Sequence, residues 1–323
     1  MEKIEKNLLQ QFKKYIADND LIRAGDRVIV ACSGGPDSVA LLYLMNKLAF
    51  GLKLELIVAH FNHKLRGGES DGDEKFVQEL SKKLNTKFVS VSARGKIGNE
   101  EQAREQRYSF LEKAREEEGA KIIVVGHNLD DLAETALFNL IRGAGIRGLY
   151  SLRSKRGNIV RPLLFAEKKQ ILTYLAESKI GFRTDESNNS LVYTRNIMRH
   201  SILPEIKKIN PQALSAIART SLLAAQADEY IINSSKEILS EISENIDGKI
   251  KIDRKKFVLL SPALQSEIIR ILARENGILA DLSYVQVDEV LALIKKNIGK
   301  KYKIIAATLK IEIENGKIVI SNI

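Results

Sequence analysis

Arg27-Val28-Ile29-Val30-Ala31-Cys32-Ser33-Gly34-Gly35-Pro36-Asp37-Ser38 passes from a β-branched run, through two glycines and a proline, into the helical pattern Val39 to Leu48. A short apolar stretch bounded by turn residues reads as a strand. Pro36 fits the first turn of a helix, where its missing N–H costs nothing. Between the two elements, glycines let the backbone approach an anion without a Cβ in the way. Successive N–H groups and the helix N-terminus supply partial positive charge at the same place. Ser33 and Ser38 add hydroxyl donors. Asp37 would repel a phosphate directly and is better suited to holding a magnesium ion that bridges phosphates. The loop lacks the Gly-Lys-Ser/Thr ending of a P-loop, so transfer of a terminal phosphate is not implied. A plain strand-to-helix turn, with Asp37 and Ser38 as caps, explains the same residues without a ligand.

The rhythm continues outward from this loop. Leu54 to Ala59, Lys87 to Val91 and Ile122 to Val125 read as strands, whereas Asp73 to Leu84, Glu101 to Glu118 and Asp131 to Arg142 carry helical periodicity. Strands alternating with helices imply right-handed crossovers and a parallel sheet covered on both faces. After Gly148 the rhythm stops. Glu167 to Ser178 and Thr194 to Lys207 read as helices on either side of the turn-rich Asp185 to Asn189. Gln212 to Ile242 runs almost without breakers, and Ile311 to Ile320 alternates around Asn315-Gly316, a hairpin signal. The expected fold class is α/β: a doubly wound, Rossmann-like parallel sheet over 1-210, a helical connector over 211-245 and a small α+β domain over 246-323. Ligands of such sheets bind beyond the carboxyl ends of the strands. Every motif described below falls at such a place.

Composition narrows the class. The 323 residues are 44% hydrophobic and 28% charged, with a single cysteine, Cys32. That excludes an intramolecular disulfide and a cysteine-pair metal site, and it fits a reducing cytoplasm. No run of 18 apolar residues occurs, so neither a transmembrane helix nor a membrane partner is expected. Met1 to Asp20 reads as an amphipathic helix and not as a signal peptide, and the expected location is cytoplasmic. The net charge of +10 is concentrated: Ser151 to Thr220 holds 13 Lys/Arg against 5 Asp/Glu. A basic block of this kind points to a polyanionic partner, with a solvated cationic surface as the alternative. A smaller cluster lies at Lys295, Lys296, Lys300, Lys301 and Lys303.

Further motifs follow the strands. In His60-Phe61-Asn62-His63-Lys64-Leu65-Arg66, a neutral His63 or the Arg66 cation suits a place near phosphate, and a plain connector is the alternative. In Gly126-His127-Asn128-Leu129-Asp130-Asp131-Leu132-Ala133-Glu134-Thr135, Asp131 and Glu134 share one helix face. With Asp130 they form a dense negative pocket, suited to magnesium or to an ammonium group. Favouring the helix dipole explains such acids equally well. Leu140 to Leu149 interleaves three glycines with Arg142 and Arg147 as an anion-friendly loop. Arg161-Pro162-Leu163-Leu164, Asp185-Glu186-Ser187-Asn188 and Arg195-Asn196-Ile197-Met198-Arg199-His200 come next. In the last, two arginines four apart present cations on one face, as an ordinary basic helix surface also would.

The glycine loop resembles the PP-loop of the N-type ATP pyrophosphatase superfamily, whose members cleave ATP between the α- and β-phosphates and attach AMP to a carbonyl-type oxygen. From Val28 to roughly Pro204 the motifs stand in the order found in the tRNA(Ile)-lysidine synthetase family. The Gly-His-x-x-Asp-Asp-x-x-Glu-Thr run is shared with tRNA thiolases. The Arg-Gly-x-Gly loop, the Asp-x-Ser-Asn turn and the Arg-Asn-x-x-Arg-His helix are not, and Cys32 has no partner cysteine for thiolation. The C-terminal part resembles that family's first appended domain, and the further domain of longer members is not expected here. The resemblance implies ligation of free L-lysine to C2 of the wobble cytidine of CAU-anticodon tRNA(Ile). The route is an adenylated cytidine, with release of AMP and pyrophosphate. It implies ATP and Mg2+ as cofactors and leaves a homodimer open. Carried over by motif, Ser33, Gly34, Gly35, Pro36, Asp37 and Ser38 would hold ATP, with His63 and Arg66 beside them and the metal on Asp37. Asp131 and Glu134 would receive the lysine; Arg107 (or Arg104) and Arg199 would contact the cytidine; His127 would orient a phosphate or move a proton. The basic block would grip the anticodon stem with an affinity that falls as salt rises.

Overall fold

The computed structural model describes residues 2–64, 68–93, 100–183, 197–246, 249–278, 282–296, 302–305 and 309–322. The chain divides into two compact units, Met1–Leu222 and Leu223–Ile323.

The first unit runs α1 (Glu2–Asp18), β1 (Arg27–Ala31), α2 (Pro36–Leu52), β2 (Glu55–Asn62), α3 (Gly68–Lys83), β3 (Lys87–Ser92), α4 (Glu100–Glu117), β4 (Ile122–Val124), α5 (Leu129–Ile141), α6 (Gly145–Leu149), β5 (Lys155–Arg156), β6 (Ile159–Val160) and α7 (Lys168–Glu177). Its sheet has the order β3-β2-β1-β4-β6-β5, and the edge strand β5 alone pairs antiparallel. Successive side chains of a strand point to opposite faces. Val28, Val30 and Val58 accordingly pack with Phe12, Leu41, Leu42 and Tyr174 from α1, α2 and α7. Ile29, Ile57 and Ile123 pack instead with Leu111 and Ala114 of α4. Both faces are covered, as the doubly wound class requires. Burying each large apolar side chain contributes about 1.5–3 kcal/mol, so β1 and α2 are held firmly on either side of the glycine loop. The chain proceeds from β1 to β2 and β3 on one side, then crosses to β4 on the other. The order therefore reverses between β1 and β4, the place where an open α/β sheet forms its ligand crevice.

Beyond Gly148 the structure departs from the rhythm read in the sequence. The sheet acquires β6, whose Ile159 and Val160 pair with Ile123 and Val124 of β4. Two residues are too few for an alternation to register. The next segment is stitched to the loop after β4: Asn128 forms a β-bridge with Leu163, and the Leu129 N–H donates to the Ala166 carbonyl at 2.9 Å. Where one helix was expected over Thr194 to Lys207, the described part is a π-helical turn, Met198–Ile202, leading into α8 (Leu203–Ile209). Pro204 has no N–H to give the preceding turn, and a widened turn accommodates that loss. The Asp185 to Asn189 turn and Arg195 lie outside the described residues.

Helix α9 (Ala213–Ile242) carries the chain past the division at Leu222. The second unit is an antiparallel sheet of order β7-β8-β11-β10-β9. It is built from β7 (Ser243–Ile246), β8 (Lys249–Asp253), β9 (Tyr302–Ile305), β10 (Leu309–Glu314) and β11 (Lys317–Asn322). Helices α10 (Arg254–Val258), α11 (Pro262–Glu275) and α12 (Tyr284–Lys296) lie between β8 and β9. Its core gathers Phe257, Ile268, Leu272, Val290 and Ile311. Asn315 and Gly316, at φ +49° and +73°, make the turn of the expected hairpin. Among the described residues no helix is long and apolar enough to cross a membrane.

Candidate functional site

The loop between β1 and α2 is shaped by its own side chains. Gly34 lies at φ +93°, a conformation that a side chain would strain. The Ser33 N–H donates to Ser38 Oγ at 3.1 Å, and Ser38 Oγ donates to the Gly35 carbonyl at 2.9 Å. The Ser33 and Ser38 hydroxyls stand 3.2 Å apart. Ser38 thus reaches back beneath the loop and fixes its curvature. Gly35 is the N-cap of α2 and supplies no side-chain cap, so the positive end of the helix is left open to an anion. Beneath it, burial pushes His60 below the ordinary histidine range, partly offset by its Nδ1 contact with the Cys32 carbonyl at 2.9 Å.

A cleft opens at this loop. Its lining brings together Ser33, Gly35, Asp37 and Ser38 with His63, Arg107, Tyr108 and His127. Gly34 and Pro36 complete the loop without lining the cleft, and Arg66 lies outside the described residues. Arg104 and Arg107 both stand over the Tyr108 ring, at 5.2 and 5.3 Å from its centroid. Of the two, Arg107 lines the cleft. Arg161, itself buried, donates from Nε to Nδ1 of His127 at 3.3 Å, which places the imidazole proton on Nε2.

A second cleft adjoins the first and is lined by Asn128, Asp130, Glu134, Lys168, Arg199 and Lys207, among others. Asn128 and Asp131 form a capping box at the start of α5, each side chain accepting from the other's N–H at 3.0 Å. Arg199 donates from Nε and Nη2 to the two carboxylate oxygens of Glu134 at 2.6 and 2.9 Å, and from Nη2 to Asp131 at 2.9 Å. Glu134 is only 1% exposed, and a buried carboxylate requires such a partner. Asp130 accepts from Lys207 Nζ at 3.1 Å and from the Lys168 N–H at 2.8 Å. Asp37 joins the two clefts: one oxygen accepts from Asn128 Nδ2 at 3.0 Å, the other from Lys168 Nζ at 2.5 Å.

Burial pushes the Asp131 carboxyl up to about 6, and the negative charges of Glu134 and Asp37 add to that. The Asn128 N–H and Arg199 oppose the rise. For Arg199, burial lowers the proton affinity, but the hydrogen bond and charge of Glu134, with Asp131 and Asp37, outweigh it and hold the guanidinium above its ordinary range. In these contacts the carboxylates of Asp37, Asp130, Asp131 and Glu134 face the cations Lys168, Arg199 and Lys207. Glu167, 3.9 Å from Lys207 Nζ, adds a fifth carboxylate to these, so negative charge is left over. The arrangement can accept one more cation beside an anion-binding helix terminus.

In the sequence Arg199 stands far from the acidic pair; the structure joins them. Asn128, Lys168 and Lys207 join the site in addition to the residues read from the sequence. For Asn128 a signal existed, because an N-cap residue three before an acid is the capping-box pattern. For Lys168 none did, since its partner Asp37 lies 131 residues away.

The PP-loop domain family matches residues 2–206 of this chain. The tRNA(Ile)-lysidine synthase of Dehalococcoides mccartyi is similar to it, 34% identical over 311 residues covering 91% of this chain and 66% of the relative. The tRNA(Ile)-lysidine synthase of Chlorobaculum tepidum is 39% identical over 239 residues, 72% of this chain and 71% of the relative. That of Geobacter sulfurreducens is 38% identical over 241 residues, 72% of this chain and 51% of the relative. The chain thus spans roughly half to two thirds of the length of several curated relatives. Among solved structures, the U34-tRNA thiolase NcsA from Methanococcus maripaludis superposes with a TM-score of 0.60 at 18% identity, covering 69% of this chain and 80% of that one. That likeness is one of fold.

Proposed function

Because the chain belongs to the tRNA(Ile)-lysidine synthase family, with the PP-loop domain over residues 2–206, we propose that it activates a tRNA base with ATP and joins free lysine to it. The observation that carries this reading is the shared position of Asp37. An anion-binding loop and a carboxylate cluster with uncompensated negative charge meet at that residue. A polyphosphate suits the first cleft and an ammonium substrate the second.

The base is the wobble cytidine of the CAU-anticodon isoleucine tRNA. Its C2 oxygen attacks the α-phosphorus, and pyrophosphate leaves with the electron pair of the broken bond. The lysine ε-amine then attacks C2 and AMP departs. An amide-like oxygen leaves readily only once it carries AMP, and an amine attacks only after losing its proton. With a carboxyl near 6, Asp131 is ionised at neutral pH yet more basic than an ordinary aspartate. Its oxygens accept from the Asn128 N–H and from Arg199, so it lends negative charge to the cluster that would receive the ammonium. Arg107, with Tyr108 beside it, faces the phosphate loop across the first cleft and suits the cytidine or the phosphates. Magnesium is usually held by one or two carboxylates together with substrate phosphates. Asp37 fits that pattern, and among the described residues no three His, Cys, Asp or Glu side chains gather to hold a metal on their own. When bound, the ion would neutralise charge on the phosphates.

The exposed Lys155, Arg156, Lys169, Lys179 and Arg183 extend positive charge over the surface of the same unit, as a tRNA backbone requires. Base identity would be read on the edges of unstacked anticodon bases. The test is pyrophosphate release by the intact chain with ATP, lysine and tRNA omitted in turn. Turnover is expected only in the complete mixture, and the treated tRNA should gain the mass of lysine less one water. Turnover without lysine, or sulfide acting in its place, would refute the reading.

A further inference from the structure

Lys168 opens α7, and its main chain is pinned at the seam between the two clefts. Ala166 and Leu163, just before it, are bonded to the loop after β4, and its own N–H donates to Asp130 at 2.8 Å. The side chain is half-buried, and its ammonium rests on Asp37 Oδ2 at 2.5 Å. Among the cations of the cluster, the other two are bound elsewhere: Arg199 by Glu134 and Asp131, Lys207 by Asp130. Lys168 alone of these three is bonded to the aspartate of the phosphate loop, through a flexible stem anchored at its base.

We propose that Lys168 is a phosphate-binding residue whose ammonium passes from Asp37 to the pyrophosphate end of ATP when nucleotide occupies the loop. The proposal rests on the adenylating reading of that loop. A carboxylate already paired with an ammonium is a poor ligand for the cation that accompanies ATP, so arrival of the nucleotide favours release of Lys168. The freed ammonium then lies beside the loop, where a polyphosphate is the strongest acceptor. As the bond between the α-phosphorus and the bridging oxygen breaks, negative charge grows on the departing pyrophosphate. The Lys168 side chain, placed beside it, offsets part of that charge. Resting on Asp37, the same ammonium offsets the mutual repulsion of the carboxylates.

The test is calorimetric binding of inorganic pyrophosphate with magnesium to the intact chain, without tRNA, for wild type, Lys168→Met and Lys168→Arg. Loss of one charge-assisted contact predicts weakening on the order of 10- to 100-fold in Lys168→Met. Lys168→Arg should recover most of it. The pinning bond to Asp130 uses the main-chain N–H and survives either change. Should Lys168→Met prove unstable, Lys168→Gln carries the same prediction. Wild-type pyrophosphate affinity in the uncharged variants overturns the proposal, as does a loss confined to lysine affinity. Failure of the wild-type chain itself to bind ATP or pyrophosphate defeats instead the reading of the loop.

Discussion

Asp131 meets two opposing demands on its proton. Its carboxylate closes the capping box with the Asn128 N–H, which favours the anion, yet burial, with the charges of Glu134 and Asp37 beside it, pushes it up to about 6 from the ordinary aspartate value. The folded carboxyl therefore holds its proton more tightly than the unfolded one. Between about pH 4 and pH 6 the native state carries the extra proton, so stability falls as pH rises through that window and is level above it. The shift corresponds at most to something on the order of 3 kcal/mol. Asp131→Asn removes the titration and keeps one acceptor oxygen for the cap. Relative to wild type, the variant should gain stability between about pH 4.5 and about pH 7.5, read from urea midpoints. An equal difference at both pH values would show that Asp131 does not titrate in this window. The residue types of this site, and the shared face of Asp131 and Glu134, were legible because spacing on one helix is local information. The pairing with Arg199 was not, because its partners lie 65 and 68 residues away and only the topology brings them together.

At the scale of elements, the site depends on two loops leaving adjacent parallel strands. Val30 pairs with Val124, so Cys32 and Gly126 leave β1 and β4 side by side. A Cβ at Gly126 would stand 3.1 Å from both Asp37 C and Ser38 N. Those are main-chain atoms in the first turn of α2, and they cannot swing aside as a side chain would. Gly126→Ala should therefore push the phosphate loop away from the α5 entrance, with a stability cost of about 1–3 kcal/mol. It should also weaken ATP binding by roughly tenfold, which is about 1.4 kcal/mol. Nucleotide titration alongside circular dichroism checks this, and unchanged affinity would mean that the turn shifts freely. The strands β1, β2 and β4 could be read in the sequence because burial makes them apolar runs. The two-residue strands β5 and β6 and the π-helical turn at Met198–Ile202 could not, since their pairing and widening come from neighbours and from Pro204.

At the scale of the whole molecule, charge and core are distributed differently from what composition suggests. Of the cations in the basic block, Arg161, Lys168, Arg199 and Lys207 bond groups of the site. The count over Ser151 to Thr220 therefore overstates the surface available to a polyanion. Each unit has apolar clusters of its own, among them one around Phe12, Leu41 and Tyr174 in the first and one around Phe257, Leu272 and Ile311 in the second. Both site clefts are lined only by residues of the first unit. A ligand that binds the native state stabilises the unit that holds it, by about 2.7 kcal/mol at a hundredfold excess over its Kd. Calorimetric unfolding of the chain should therefore show two transitions. Magnesium and ATP should raise one of them by roughly 5–10 °C and leave the other in place. Urea unfolding followed by fluorescence of a nucleotide analogue should lose its signal with the ATP-sensitive step alone. A single transition that moves as a whole would mean that the two cores unfold as one cooperative body, with α9 carrying ligand stabilisation from one unit into the other.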